Sequence, residues 1–195
     1  MINKIKTNGI YSSIDGLHIS HPLSAIECLS EVVADFETII EIGYYRGGLT
    51  QYFAEFSRDS CQVIAYDIKD DERKKQNFQF NSKITFKTQN CFSEESVLEI
   101  KSIILNSNKT LLFCDGGDKD REFNLFSDFL KQDDVIMVHD YHDDSLNEEY
   151  AMHVNWHHAP ECFYSEIERS VTNNNLKKYN YEPYRNNLIG SFIKE

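Results

Sequence analysis

Basic residues, prolines and long apolar runs are all scarce in this chain. Its 195 residues include 20 Lys+Arg against 32 Asp+Glu, a formal net charge of -12. That balance argues against a broad nucleic-acid or anionic-membrane surface, since both need clustered Lys and Arg. Three prolines leave little room for a linker, and neither an internal repeat nor a low-complexity tract interrupts the sequence. No stretch approaches the roughly 18 apolar residues of a membrane span, and the opening MINKIKTNGIYSSIDG has no apolar core of a signal peptide. The five cysteines are odd in number and form no C-x-x-C, which speaks against a disulfide scaffold and a paired zinc knuckle. Cys61, Cys91 and Cys114 lie in or beside apolar runs and read as small buried hydrophobes. The expectation is a cytoplasmic single domain over 1–195, with no nucleic-acid or membrane partner.

What is present suffices for a core. Hydrophobic residues make up 41% and aromatics 13%, and a chain of this length buries about 70% of its unfolded surface. The pattern alternates between helix and strand periods. Pro22 precedes Leu23, Ile26, Leu29, Val32, Val33 and Phe36 at helical spacing, an N-terminal helical segment over 1–36. Apolar runs at 38–43, 62–67, 83–88, 110–115 and 134–140 read as five strands. Helical stretches follow Gly47-Gly48, follow Ser93 as a cap with Glu94 and Glu95 in the first turn, and span Phe123 to Leu130 and 161–171. LKKYNYEPY and NLIGSFI close the chain as an antiparallel pair. This alternation predicts an α/β fold: a Rossmann-like, doubly wound, mostly parallel sheet with helices on both faces. Residues 37–140 form its core and 141–195 an acceptor-side flap with the closing strands.

Ligands of such sheets bind at the carboxyl ends of the strands, where strand order reverses. Those ends carry Glu41-Ile-Gly43, Asp67, Asp115 and Asp140. In IIEIGYYRGGLTQYFA a strand runs through a glycine loop into a helix, so backbone amides are aimed at a ligand. Asp67 lies 24 residues after Gly43 at the next strand end, where a carboxylate accepts from both ribose hydroxyls. The pair implies a nucleoside-containing ligand. An acid two residues before the first glycine repels phosphate and suits a cation.

On these residues the sequence resembles the class I S-adenosylmethionine-dependent methyltransferases, whose first motif has the form acid-x-Gly-x-x-x-Gly. The resemblance covers roughly 35–145. It implies S-adenosylmethionine held by Glu41, Gly43, Tyr45, Gly47, Gly48 and Asp67, with Asn90-Cys91 flanking the adenine and Asp115 bordering the site. The stretch LLFCDGGDKDREFNLFSDFLKQDDVIMVHDYHDD is similar to the metal-dependent small-molecule and sugar O-methyltransferases and to the cephalosporin-hydroxylase-type group. That similarity implies a divalent cation, magnesium, on Asp115 and Asp140. The chain departs from the pattern in carrying Tyr141 where relatives often have a second acid or amide. A base must deprotonate the acceptor hydroxyl; His142 is the first candidate and Lys119 the second.

His139, His142, His153, His157 and His158 fall within twenty residues, with Trp156, Tyr150 and Phe163 nearby. A zinc centre and a packed acceptor-site flap are both open readings of this cluster. Between Lys131 and Arg169 there is no Lys or Arg, but ten acids. This window holds nearly all of the net charge and five of the seven histidines, a local field that attracts a divalent cation. The expected activity is methyl transfer to a hydroxyl of a small-molecule or saccharide acceptor. Three alternatives stay open: a metal-free methyltransferase acting on nitrogen or carboxylate, a metal-dependent hydrolase on the histidines, and a non-catalytic binding domain.

Overall fold

A computed structural model describes residues 5–7, 12–69, 81–143, 161–185 and 187–195. Its centre is a seven-stranded sheet. Five parallel strands, β4 (Thr38–Ile42), β5 (Gln62–Asp67), β6 (Ile84–Thr88), β7 (Thr110–Cys114) and β8 (Val135–His139), come from the five predicted apolar runs. The predicted closing pair, β11 (Leu176–Lys178) and β12 (Ile189–Lys194), joins the far edge antiparallel. The order is β11-β12-β8-β7-β4-β5-β6. From β4 the chain moves outward to β5 and β6, then returns to β7 on the other side, so β4 and β7 flank the switch point.

Successive strand residues point to opposite faces, so each face builds its own core. Ile39, Val63, Leu111, Phe113 and Met137 pack on one side against α1 (Leu23–Ser30) and α2 (Gly48–Phe56). Ile40, Ile42, Ile64, Leu112 and Val138 pack on the other against α3 (Glu94–Asn106), α4 (Lys119–Phe126) and α5 (Tyr164–Asn173). With both faces covered, β4 and β7 are buried at every position, which is why they read as unbroken apolar runs.

The boundaries are set by local chemistry. Ser93 caps α3: its Oγ accepts the Ser96 N–H at 3.3 Å, and Glu94 and Glu95 lie at the positive end of the helix dipole. Ser93→Ala is expected to cost about 1 kcal/mol in urea unfolding with cofactor affinity unchanged; an unchanged midpoint means the cap contributes nothing. Asp134, wholly buried, accepts from Thr110 N–H at 2.7 Å and from the Lys131 amide and ammonium at 2.8 and 3.0 Å. One acid of the basic-poor window is thus a brace between β7 and β8, at the end remote from the site.

Three local features depart from the sequence expectation. The N-terminal segment is not wholly helical: a hairpin sheet of β1 (Ile5–Thr7), β2 (Ser12–Ile14) and β3 (Leu17–Ile19) precedes α1. The α1 helix ends at Ser30, and a 3-10 turn at Val33–Asp35 carries the apolar pattern to Phe36. Within the closing pair, a short helix α6 (Tyr181–Arg185) follows the three-residue strand β11, so LKKYNYEPY is only partly extended. A small parallel pair, β9 (Tyr141–His142) with β10 (Cys162–Phe163), lies beyond β8. Among the described residues no helix is long and apolar enough to cross a membrane.

Candidate active site

A cavity of about 620 Å³ opens at the carboxyl ends of β4, β5 and β7. Gly43, directly after β4, lies on its wall with φ +88°, a left-handed conformation that favours glycine. A Cβ here would stand 2.2 Å from the Asp115 carbonyl oxygen, so the ends of β4 and β7 approach as closely as they do only with glycine. The loop then turns at Gly47 (φ +72°), the N-cap of α2. Asp67 closes the loop from the neighbouring strand: its Oδ2 accepts the Tyr45 N–H and its Oδ1 the Lys69 N–H, both at 3.0 Å.

The opposite wall comes from the β6–α3 turn and the loop after β7. Asn90 Oδ1 accepts the Phe92 N–H at 3.0 Å, fixing the turn that presents Cys91 and Phe92 to the cavity. Burial pushes the Cys91 thiol up to about 12, so it stays protonated and inert. Arg121 stacks over the Phe92 ring at 4.0 Å. Glu122 on α4 reaches back, its Oε2 accepting the Gly116 N–H at 3.2 Å. Burial pushes its carboxyl up to about 7, against the lowering effect of that hydrogen bond.

Beside the cavity stands a charged cluster centred on Asp115. Lys119, at the start of α4 and 5% exposed, has its Nζ 3.7 Å from Asp115 Oδ1 and 3.1 Å from Asp140 Oδ2, and also donates to Glu161. Burial works against its charge, but Asp115, Glu161 and Asp140 outweigh it and hold the ammonium above the usual lysine range. An amine so held keeps its proton. Asp140 has a left-handed φ of +52°, and its carbonyl accepts from Glu161 and Cys162 N–H. Despite burial, His139 and Lys119 hold its carboxyl well below the usual range.

His139 Nδ1 lies 3.0 Å from Asp115 Oδ1 and 3.4 Å from Asp140 Oδ2. Burial disfavours its charge, but the two carboxylates raise it to about 9. His21, from the loop before α1, packs on His139 with ring centroids 4.1 Å apart. Burial, then the His139 charge, drives His21 down to about 3, so it is neutral.

A family model, the FtsJ-like methyltransferases, matches residues 26–139, more than half of the chain and all of the parallel core. The chain belongs to the FtsJ-like methyltransferase family. Solved structures share its fold. Human N-acetylserotonin methyltransferase, determined with S-adenosylmethionine, superposes with a TM-score of 0.55 at 12% identity over 89% of this chain and 50% of that one. A candidate caffeoyl-CoA O-methyltransferase from Staphylococcus aureus gives 0.55 at 13% identity over 92% and 86%. An O-methyltransferase family protein from Burkholderia thailandensis gives 0.54 at 11% identity over 87% and 54%. The chain thus spans about half the length of the human enzyme. No curated protein matches the sequence closely enough to count as a relative. The class I methyltransferase resemblance and its mostly parallel α/β sheet are thereby established.

Within this methyltransferase domain, Gly43, Tyr45, Asp67, Asn90, Cys91 and Asp115, all expected at the cofactor, line the cavity. Glu41, Gly47 and Gly48 do not line it. The Glu41 carboxyl is buried and accepts from Thr50 Oγ1 at 2.5 Å. Gly48 has a packing reason: a Cβ there would meet the His18 carbonyl oxygen at 2.1 Å. Lys119 and Asp140 adjoin Asp115, whereas His142 sits on β9 with its ring 5.7 Å from that of Phe163. His21, Glu122 and the Arg121–Phe92 stack escaped the sequence reading. Tyr150, His153, Trp156, His157 and His158 lie outside the described residues.

Proposed function

We propose that this methyltransferase moves a methyl group from S-adenosylmethionine to a hydroxyl of a small-molecule or saccharide acceptor. The observation that carries the reading is the continuity of two sites: a nucleoside-sized cavity, walled by Gly43 and Asp67, opens onto the charged cluster at Asp115. In this reading Asp67 takes the ribose hydroxyls, and Ile68, Cys91 and Phe92 form the apolar slot for the adenine. The sulfonium is an activated leaving group, so the protein has to hold the acceptor oxygen about 3–3.5 Å from the methyl carbon and remove its proton.

Lys119 is charged and therefore serves as a fixed positive group near that oxygen, while His142 is the proposed proton acceptor. The O-methyltransferases among the fold neighbours favour oxygen as the acceptor atom. Magnesium shared by Asp115 and Asp140 does not fit the arrangement, because the Lys119 ammonium already bridges those carboxylates. No step is routed through it.

Calorimetric titration with S-adenosylmethionine and its demethylated product tests the proposal. Both are expected to bind with a Kd of roughly micromolar order, and label from the methyl group is expected to appear on hydroxylated acceptors. Failure of both ligands to bind at about 1 mM overturns it.

A further inference from the structure

We infer that His21, Asp115 and His139 form a binding site for a divalent transition metal, distinct from the Asp115–Asp140 pair. One ligand atom from each lies within 4.8 Å of the other two. His21 Nε2 stands 3.5 Å from Asp115 Oδ2, and His139 Nδ1 stands 3.0 Å from Asp115 Oδ1, so both imidazoles converge on the same carboxylate. The three come from widely separated segments: the loop before α1, the end of β7 and the end of β8.

The independent observation is His21 itself. It is 1% exposed, yet among the described residues neither ring nitrogen has a hydrogen-bond partner. A buried polar group left unsatisfied is costly. Coordination of Nε2 satisfies the nitrogen that already faces Asp115. The surroundings also call for a cation. Asp115, Asp140 and Glu161 face the Lys119 ammonium and His139; a metal that displaces the His139 proton takes over its charge beside these carboxylates.

Donor chemistry selects the metal. Two imidazoles and one carboxylate suit zinc, cobalt, iron(II) or manganese, and three protein ligands leave positions open for a further oxygen. Magnesium prefers oxygen donors alone and is a poor match. Asp115 also borders the cavity, so a metal held here stands at the edge of the cofactor space. Metal and cofactor binding are separate claims, and each can fail alone.

The test uses the full chain, stripped with a chelator and dialysed separately against zinc, cobalt(II), manganese(II) and magnesium. Bound metal is measured by mass spectrometry, and cobalt also by its visible absorption. Wild type is expected to take up about one zinc or cobalt per chain and negligible magnesium. His21→Gln and His139→Gln are each expected to weaken zinc about 100-fold and to abolish the visible cobalt band. His18→Ala, which removes a histidine outside the cluster, is expected to keep both. S-adenosylmethionine calorimetry and circular dichroism on the same variants report whether they are folded. No metal uptake by wild type overturns the proposal. So does full zinc retention by folded His21→Gln, which locates the ion elsewhere, and so does magnesium uptake equal to that of zinc.

Discussion

Asp67→Ala is expected to weaken S-adenosylmethionine binding by about 100-fold or more while leaving the fold intact. The carboxylate sits at the end of β5, its Oδ2 accepting the Tyr45 N–H and its Oδ1 the Lys69 N–H. Those bonds fix its plane, and a carboxylate oxygen accepts more than one hydrogen bond, so a ribose diol can add to them. A hydrogen bond to a charged group contributes about 1.5–3 kcal/mol, so losing two removes at least about 3 kcal/mol. The alanine variant also releases the Tyr45 amide, which loosens the glycine loop and adds to the loss. Asp67→Asn keeps the shape but lacks the charge, and should fall between the two. Isothermal calorimetry measures all three proteins. An Asp67→Ala affinity within about threefold of wild type removes the ribose role and, with it, the orientation of the cofactor in the cavity.

The parallel core was legible because burial on both sheet faces demands unbroken apolar runs such as TIIEI and TLLFC, and few other structures do. Asp67, Asp115 and the Gly43 turn were legible for a related reason: a strand that stops at the ligand edge stops on a polar residue or a glycine. The short strands SSI and LHI of the N-terminal hairpin carry no usable period at three residues each. His21 was invisible because its meaning is tertiary. It stands 94 residues before Asp115 in the chain and meets it only once α1 docks on the sheet. Lys119 shows the opposite limit. Its spacing from Asp115 was plain, but the sequence could not show that its ammonium bridges Asp115 and Asp140 and is held charged by three carboxylates. That geometry is why the proposed function gives it the part of a fixed cation rather than a proton acceptor.

Glu41→Gln is expected to stabilise the protein, by about 4 kcal/mol above pH 8. Glu41 lies in the middle of the sheet, 1% exposed, with Thr50 Oγ1 donating to it. Burial pushes its carboxyl from 4.5 up to about 8; the Thr50 bond opposes this, and the negative fields of Asp115 and Asp67 add to it. The folded protein therefore binds this proton more tightly than the unfolded chain. The resulting stability is fully present below pH 4.5 and is lost as pH rises through about 8. Glutamine stays neutral throughout, so the two proteins should match near pH 4.5 and diverge steadily above it. Urea unfolding between those limits traces the divergence, and parallel curves for wild type and variant would sink the argument. The costly acid has a use if a cationic cofactor is bound nearby, because its negative charge then attracts the ligand. The stabilised variant should then bind S-adenosylmethionine more than tenfold more weakly above pH 8. Equal affinity in both proteins confines Glu41 to its contact with Thr50, outside the cofactor site.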